Sequence, residues 1–242
     1  MTYAKQRGQR VKGADGFLAV LGFFAIAGAA VVLFPGIDLS VSGLFYNPEK
    51  HFFLKDLLFC TLVYRFVEVF SGFLALVLPI LFLITLVRRK PIFRFDRKKI
   101  VYLILVVAIG PGLMVNVLLK DHWGRARPNQ VQEFGGQKRF TSAWVMSNEC
   151  MQNCAFVSGH ASMGFYLFAF AFLSHHHRKK WMGLALICGF VIGLVRIMQG
   201  SHFVSDVIFA GMMVYLVAWI LSRIIAGGDK DASGKVSLHD PA

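Results

Sequence analysis

Residues 196–225 read RIMQGSHFVSDVIFAGMMVYLVAWILSRII. From Val204 onward the stretch is mostly apolar over about 20 residues, the length that a helix needs to cross the hydrocarbon core of a bilayer. Backbone polar groups cannot stay unpaired in lipid, so this run predicts a transmembrane helix. Ionisable residues stand at its start as Arg196, His202 and Asp206, spaced R-x5-H-x3-D. Such residues are costly at membrane depth, and they therefore indicate a functional site at one end of the helix.

The composition of the whole chain agrees with a membrane protein. Of its 242 residues, 56% are hydrophobic and only 16% are charged, and the mean hydropathy is +0.59. A soluble domain contains nearer 45–50% apolar residues. The net charge of +13 would suit a nucleic-acid partner. Here, however, the basic residues lie between long apolar runs, which indicates membrane topology instead.

Six apolar runs predict an all-α, polytopic membrane protein with six transmembrane helices. The residues just before the second run, 57–67, are interpreted as an amphipathic lead-in at the interface, where Arg65 and Glu68 would pair. Residues 1–226 then form one six-span domain, and the polar segment 227–242 is predicted to be a disordered cytoplasmic tail. The predicted spans are Gly16–Phe34, Glu68–Val87, Ile100–Leu119, Ala161–Ser174, Trp181–Met198 and Val204–Ile225.

Basic residues cluster in three segments that six spans place on one side of the membrane. The positive-inside rule makes that side the cytoplasm, as expected for a multi-pass protein of a bacterial inner membrane. The three histidines 175–177 are interpreted as part of one of these basic segments and not as a metal site. The segments contain Lys5, Arg7, Arg10 and Lys12; Arg88, Arg89, Lys90, Arg94, Arg97, Lys98 and Lys99; and His175, His176, His177, Arg178, Lys179 and Lys180.

The same topology places three polar clusters together on the outer face. Lys120, Arg127 and Arg196 are cations that could surround a phosphate dianion, and an arginine offers it two parallel donors. Ser158 and Gly159 precede the fourth span, where the free N–H groups of a helix start favour an anion. We expect all five residues to bind phosphate.

The remaining residues of these clusters suit covalent catalysis. His202 and Asp206 are four residues apart, so they share a helix face if the helix begins there, and the carboxylate could hold the imidazole in one tautomer. The other ring nitrogen would then be the nucleophile. His160 would protonate the departing oxygen as general acid. We expect these three residues to be catalytic.

The order K-x6-R-P, S-G-H, R-x5-H-x3-D resembles the type 2 phosphatidic acid phosphatase superfamily. Lys120, Arg127 and Pro128 match its first motif, Ser158, Gly159 and His160 its second, and Arg196, His202 and Asp206 its third. Val157 stands where the family most often has proline. The resemblance covers residues 120–206 by motif. It implies a six-helix membrane fold and hydrolysis through a phosphohistidine on His202, with no metal and no cofactor.

Within this family, the outer loop 130–154 is similar to that of bacterial lipid A phosphatases. The expected substrate is therefore a phosphorylated membrane lipid, and the expected partner is the bilayer rather than nucleic acid. The other candidates are an undecaprenyl pyrophosphate phosphatase, a phosphatidylglycerophosphate phosphatase and a lipid phosphotransferase. A transporter and a non-catalytic lipid-binding protein are the candidates from other functional classes. A conduction path needs polar residues at several depths, whereas here they cluster at one end.

Two features between the third and fourth spans each have more than one interpretation. Arg125 lies within the first motif and either contacts a second phosphate or sugar, or has only a surface role. Cys150 and Cys154 could form a local disulfide in an oxidising compartment, depending on the loop geometry.

Overall fold

The computed structural model describes residues 2–89, 91, 95–174 and 176–226, with side chains from residue 16 to residue 225. The predicted tail 227–242 lies outside these residues, as do Lys90, Arg94 and His175 of the basic segments. The side chains of Lys5, Arg7, Arg10 and Lys12 are likewise outside the described set.

Helices account for most of the described chain, which confirms the predicted fold class. In chain order they are α1 (Thr2–Leu33), α2 (Gly36–Gly43), α3 (Leu58–Arg88), α4 (Arg97–Val107), a π-helix (Ala108–Leu119), α5 (Gly159–Phe165), α6 (Phe168–Leu173), α7 (Arg178–Met198) and α8 (Val204–Ala226). An antiparallel hairpin of β1 (Tyr46–Asn47) and β2 (His51–Phe52) and the 3-10 turns Pro128–Gln130 and Gln132–Phe134 complete the elements.

Within the described ranges, five helical segments are long and apolar enough to cross a membrane, and the sixth is shorter. The five are Gly16–Leu33, Leu58–Arg88, Arg97–Leu119, Arg178–Met198 and Val204–Ile225. The predicted fourth span corresponds to Gly159–Leu173, which begins two residues earlier than expected and is divided into α5 and α6.

Helix α3 joins the predicted lead-in to the second span. It runs without interruption for 31 residues, so residues 58–67 and the second predicted span form one continuous helix. An unbroken apolar helix satisfies its own backbone hydrogen bonds, which a break inside the run would expose. The predicted pair on it is confirmed, since Arg65 Nη1 donates to Glu68 Oε2 at 3.0 Å.

The third span changes its winding halfway along. Pro111 has no N–H to donate, and the helix widens into the π-helix around it. The side-chain amide of Asn116 donates to the Pro111 carbonyl at 2.7 Å. The last wide turn ends at Lys120, whose N–H donates to the Val115 carbonyl five residues back. This winding places the start of the first motif at the C-terminal end of the span.

Helix α8 lies at the centre of the bundle, where it packs against α1, α4, α5 and α6. Its core partners include the fully buried rings of Phe24 and Phe165. Small residues let α5 and α7 approach closely, because a Cβ on Gly164 would lie 2.8 Å from the Cα of Gly189. Helix α5 is therefore held firmly between α7 and α8, with its N-terminus at the end of the bundle where α7 ends and α8 begins.

A second, smaller apolar cluster closes this end of the bundle. Phe52 of the hairpin packs on Phe134 of the second 3-10 turn, with ring centroids 5.6 Å apart. Val131, Ala126 and Phe203 complete its buried members. The loop between the third and fourth spans contains a disulfide between Cys150 and Cys154, which settles the pairing that the sequence left open.

Candidate active site

The first motif begins at the end of the third span and continues along the disulfide loop. Lys120 accepts a hydrogen bond from the N–H of Cys154 through its carbonyl at 3.0 Å. Arg127 donates to the Asn153 carbonyl from Nε at 3.2 Å and from Nη2 at 2.7 Å. The backbone of Lys120 and the side chain of Arg127 thus bind neighbouring residues of the same short loop. These hydrogen bonds fix the positions of the two residues relative to each other.

The second motif forms the predicted helix start. Ser158 caps α5, because its Oγ accepts from the N–H of Ala161 at 3.4 Å, and its own N–H donates to the Asp206 carbonyl at 3.1 Å. At Gly159 a Cβ would lie 2.8 Å from Asn116 Oδ1 and 3.7 Å from Lys120 Nζ. Glycine therefore lets the Asn116 side chain come this close to the N-terminal turn of α5, and the Lys120 ammonium lies beside that turn in ordinary contact.

The third motif places His202 in a fully buried position with a fixed tautomer. Its Nδ1 lies 2.7 Å from the Ala155 carbonyl, which can only accept, so Nδ1 carries the proton. The lone pair is then on Nε2. This modifies the expected role of Asp206, whose Oδ2 is 3.5 Å from Nδ1 and is a weaker partner than the carbonyl.

Asp206 belongs instead to a buried charge network that the sequence did not predict. Arg125 Nη1 donates to Asp206 Oδ1 at 2.6 Å, and Nη2 donates to Asp38 Oδ2 at 2.7 Å. Asp38 also accepts from the N–H of Ser205 at 2.9 Å. Since both side chains of each ion pair are fully buried, Arg125 is a structural residue. Both sequence-based alternatives for it, a ligand contact and a surface role, were wrong.

A single tyrosine contacts two of the predicted site residues. The ring of Tyr64 on α3 stacks on His160, with centroids 4.5 Å apart, and the Arg196 guanidinium carbon lies 4.9 Å from the Tyr64 ring centroid. His160 Nε2 and Arg196 Nε are both buried and have no hydrogen-bond partner within the described part of the chain. A guanidinium N–H and an imidazole nitrogen without protein partners in one small region suit a polar ligand that can accept from the arginine.

Burial and like charge dominate the electrostatics of the site. Burial, followed by the charges of Arg127 and Arg196, lowers the pKa of Lys120 to about 8. Burial also lowers the pKa of Arg127. The pKa of His202 is held well below its usual value by burial and then by Arg196, Lys120 and Arg127. The imidazole is therefore neutral and keeps its nucleophilic lone pair. The three cations lie close enough to the ring to lower its pKa.

The pKa of Lys120 predicts an alkaline limit on activity. Because the folded-state pKa is lowered to about 8, the ammonium loses its proton as the pH rises through that value, and its attraction for phosphate is lost. We expect kcat/KM, which reports the free enzyme, to fall by up to about tenfold per pH unit above this pKa.

The variant that tests this is Lys120→Arg, which stays charged at high pH. Its alkaline limb should move to higher pH, whereas Lys138→Arg, a change of an exposed lysine in the same outer loop, should leave the profile unchanged. Superimposable profiles for wild type and Lys120→Arg would assign the limb to another group.

Comparison with known proteins identifies the family. The PAP2 superfamily matches residues 100–228, a range that contains all three motifs. The chain belongs to the PAP2 superfamily. It is 39% identical over 197 residues to a lipid A 4'-phosphatase of Francisella tularensis subsp. novicida, covering 80% of this chain and 88% of the relative. It is 35% identical over 118 residues to a lipid A 4'-phosphatase of Rhizobium leguminosarum, covering 48% of this chain and 47% of that protein.

A solved structure agrees on the fold of this PAP2 chain. The transmembrane PAP2-type phosphatidylglycerolphosphate phosphatase from Bacillus subtilis superimposes with a TM-score of 0.55, covering 89% of this chain and 96% of that one. The sequence identity is 19%, so this likeness concerns the fold alone. Together with the family match and the apolar helices, it makes the chain a multi-span membrane protein and a phosphoric ester hydrolase, as predicted.

The structure brings the predicted site residues of this PAP2 chain to one end of the bundle. Asp38, Ala155 and Tyr64 were not predicted from the sequence to contact the site. Asp38 could have been noticed, because it is a lone carboxylate in the apolar stretch 31–45. In the described ranges no group of three His, Cys, Asp or Glu side chains could hold a metal ion. The residues brought together are Lys120, Arg127, Ser158, Gly159, His160, Arg196, His202 and Asp206.

Proposed function

We propose that this chain removes a phosphate monoester from a membrane lipid, and that the lipid is lipid A, cleaved at its 4'-phosphate. The observation that carries the lipid part is a cavity of about 620 Å³ between α3 and the third span. Lys120, Gly159 and His160 line one end of it, and its walls continue along apolar residues such as Leu78 and Ile104. A phosphate bound at the polar end would thus be joined to a chain that lies in the apolar part.

The chemistry proposed for the site proceeds in two steps. His202 Nε2 attacks phosphorus, the bond to the lipid oxygen breaks, and His160 gives that oxygen a proton. Water then attacks the phosphohistidine and gives a proton back to His160, the N–P bond breaks, and inorganic phosphate leaves. Lys120, Arg127 and Arg196, with Ser158 and Gly159 at the start of α5, stabilise the negative charge of the transferring group. All of these ligands are cationic or neutral, so we propose that no metal or cofactor takes part.

The identity of the lipid is supported by the relatives named 4'-phosphatases and by the 80% of this chain that the first of them covers. The test is phosphate release by detergent-solubilised protein, with EDTA present, on lipid A, phosphatidylglycerophosphate, phosphatidic acid and undecaprenyl pyrophosphate. We expect lipid A to have the highest kcat/KM and to lose its 4'-phosphate. A higher value for any other lipid, or transfer of the phosphate to a second lipid, would overturn the assignment.

We also propose that the active site faces the exterior of the inner membrane. The site lies where the third and fifth spans end. On the opposite side of the bundle, the second span ends at Arg88, and the third and fifth spans begin at Arg97 and Arg178. The positive-inside rule assigns that opposite side to the cytoplasm.

Thiol labelling in intact cells checks this orientation. A cysteine at Gln137, which is exposed in the outer loop, should react with an impermeant reagent, and one at His176, exposed before α7, should react only after the membrane is opened. The reverse pattern would place the site in the cytoplasm.

A further inference from the structure

A second pocket lies beside the active site, outside the membrane-spanning segments. It has a volume of about 230 Å³ and is called the outer pocket below. It lies where the hairpin, the loop that follows β2, the two 3-10 turns and the α7–α8 connection meet. The residues that line it are His51, Phe52, Lys55, Asn129, Phe134 and Gln199.

The outer pocket adjoins the proposed phosphate ligands on two sides. Gln199 Oε1 accepts from Arg196 Nη1 at 2.5 Å, and its Nε2 donates to the Lys55 carbonyl at 3.4 Å. Asn129 follows Arg127 by two residues, and its N–H donates to the Gly200 carbonyl at 3.0 Å. A molecule whose phosphate lies between the two arginines would therefore extend directly into this pocket.

The chemistry of its walls suits a sugar that carries a negative charge. Phe52 and Phe134 are only 2% and 6% exposed and form a firm apolar base, while Asn129 and Gln199 offer amide groups. Among the six described lining residues there is one permanent cation, Lys55, and no carboxylate. Convergent polar groups on an aromatic base are typical of small-molecule sites.

We propose that the outer pocket binds the non-reacting part of a phosphorylated disaccharide headgroup, with Lys55 paired to its second phosphate. The inference rests on the proposed function, since a disaccharide lipid with two phosphates supplies such a group. A lipid with a small headgroup has nothing to place there. The pocket thus selects substrates by headgroup, whereas the apolar cavity binds the acyl part.

The test compares two disaccharide lipids that share the scissile phosphate, one with and one without the second phosphate. The wild type should have the lower KM for the doubly phosphorylated lipid. Lys55→Gln should raise that KM by about twofold to fivefold, as expected for one solvent-exposed charged pair, and leave the other KM unchanged. Lys50→Gln is the matched control, an exposed lysine of the hairpin turn that does not line the pocket.

Equal KM values of the wild type for the two lipids would overturn the pocket assignment, as would an equal loss on both in Lys55→Gln. The proposed function fails in a different way. If the wild type cleaves neither disaccharide lipid but does cleave other lipid phosphates, the substrate is wrong, and the pocket assignment falls with it.

Discussion

Replacing His202 with alanine should reduce phosphate release by at least about 10⁴-fold, as expected when a hydrolase loses its nucleophile. The geometry behind this expectation is the 2.7 Å contact from Nδ1 to the Ala155 carbonyl, which leaves the lone pair on Nε2. Burial and the surrounding cations keep the pKa of the ring low, so it is unprotonated at neutral pH. A charged imidazolium would have no lone pair with which to attack phosphorus.

The measurement is single-turnover phosphate release, together with an alkaline denaturing quench that traps the phosphoprotein, which acid should then hydrolyse. Wild type should show the phosphoprotein and His202→Ala should not. His122→Ala is a matched control, because His122 is an exposed histidine of the same outer end and its Nδ1 also contacts a backbone carbonyl, that of Val117, at 3.1 Å. Because the His202 ring is buried, each variant is checked for folding by its thermal transition in detergent. Turnover near wild type in a folded His202→Ala protein would refute the phosphohistidine mechanism.

The arrangement of Asp206 explains why this site is rigid without a direct carboxylate–imidazole pair. Asp206 accepts hydrogen bonds from Arg125 Nη1 at 2.6 Å and from the N–H of Phe203 at 2.7 Å. These two bonds fix the first turn of α8. His202 lies immediately before that turn. Asp38 balances the second side of the Arg125 guanidinium, and the buried network carries two negative charges for one positive. Removing Arg125 would leave both buried carboxylates without their cation, and breaking a buried ion pair in this way costs about 3–5 kcal/mol.

Much of the fold and of the site could be predicted because both depend on local sequence. An apolar run of about 20 residues has only one way to cross a bilayer, so five spans followed from length alone. The fourth span was harder, because Gly159–Leu173 is short and divided in two. The site motifs are also local: His202 and Asp206 are only four residues apart, although α8 begins at Val204, after the histidine, and Ser158 and Gly159 mark a helix start.

What the sequence could not show are the contacts between distant segments. Asp38 meets Arg125 from 87 residues away, and no spacing rule connects them. The partner of His202 is a backbone carbonyl at Ala155, which no residue type reveals. Tyr64 is one of several aromatic residues on α3. Only the packing of α3 against α5 shows that its ring stacks on His160. These three contacts arise from the packing of helices, and a pattern of single residues does not contain that information.

His160→Ala should distinguish proton donation from phosphate capture. The His160 ring is held by its stacking on Tyr64, and its buried Nε2 has no partner in the described chain, so it can meet an oxygen of the substrate. A general acid contributes about 10²–10⁴-fold, and less when the leaving group is already good. We therefore expect a loss of this size in kcat/KM on the lipid phosphate but a much smaller loss on p-nitrophenyl phosphate.

The arginines provide the contrast that makes this result decisive. Arg127 and Arg196 act on phosphoryl oxygens, whose charge is the same whatever group departs, so Arg127→Ala and Arg196→Ala should each lose about 10²–10³-fold on both substrates. The quantity to compare is the ratio of kcat/KM for the two substrates in each folded variant. That ratio should shift by at least about tenfold in His160→Ala and stay near the wild-type value in the arginine variants. If His160→Ala lost the same factor on both substrates, its Nε2 would be donating to a phosphoryl oxygen, and the leaving lipid oxygen would take its proton from another group.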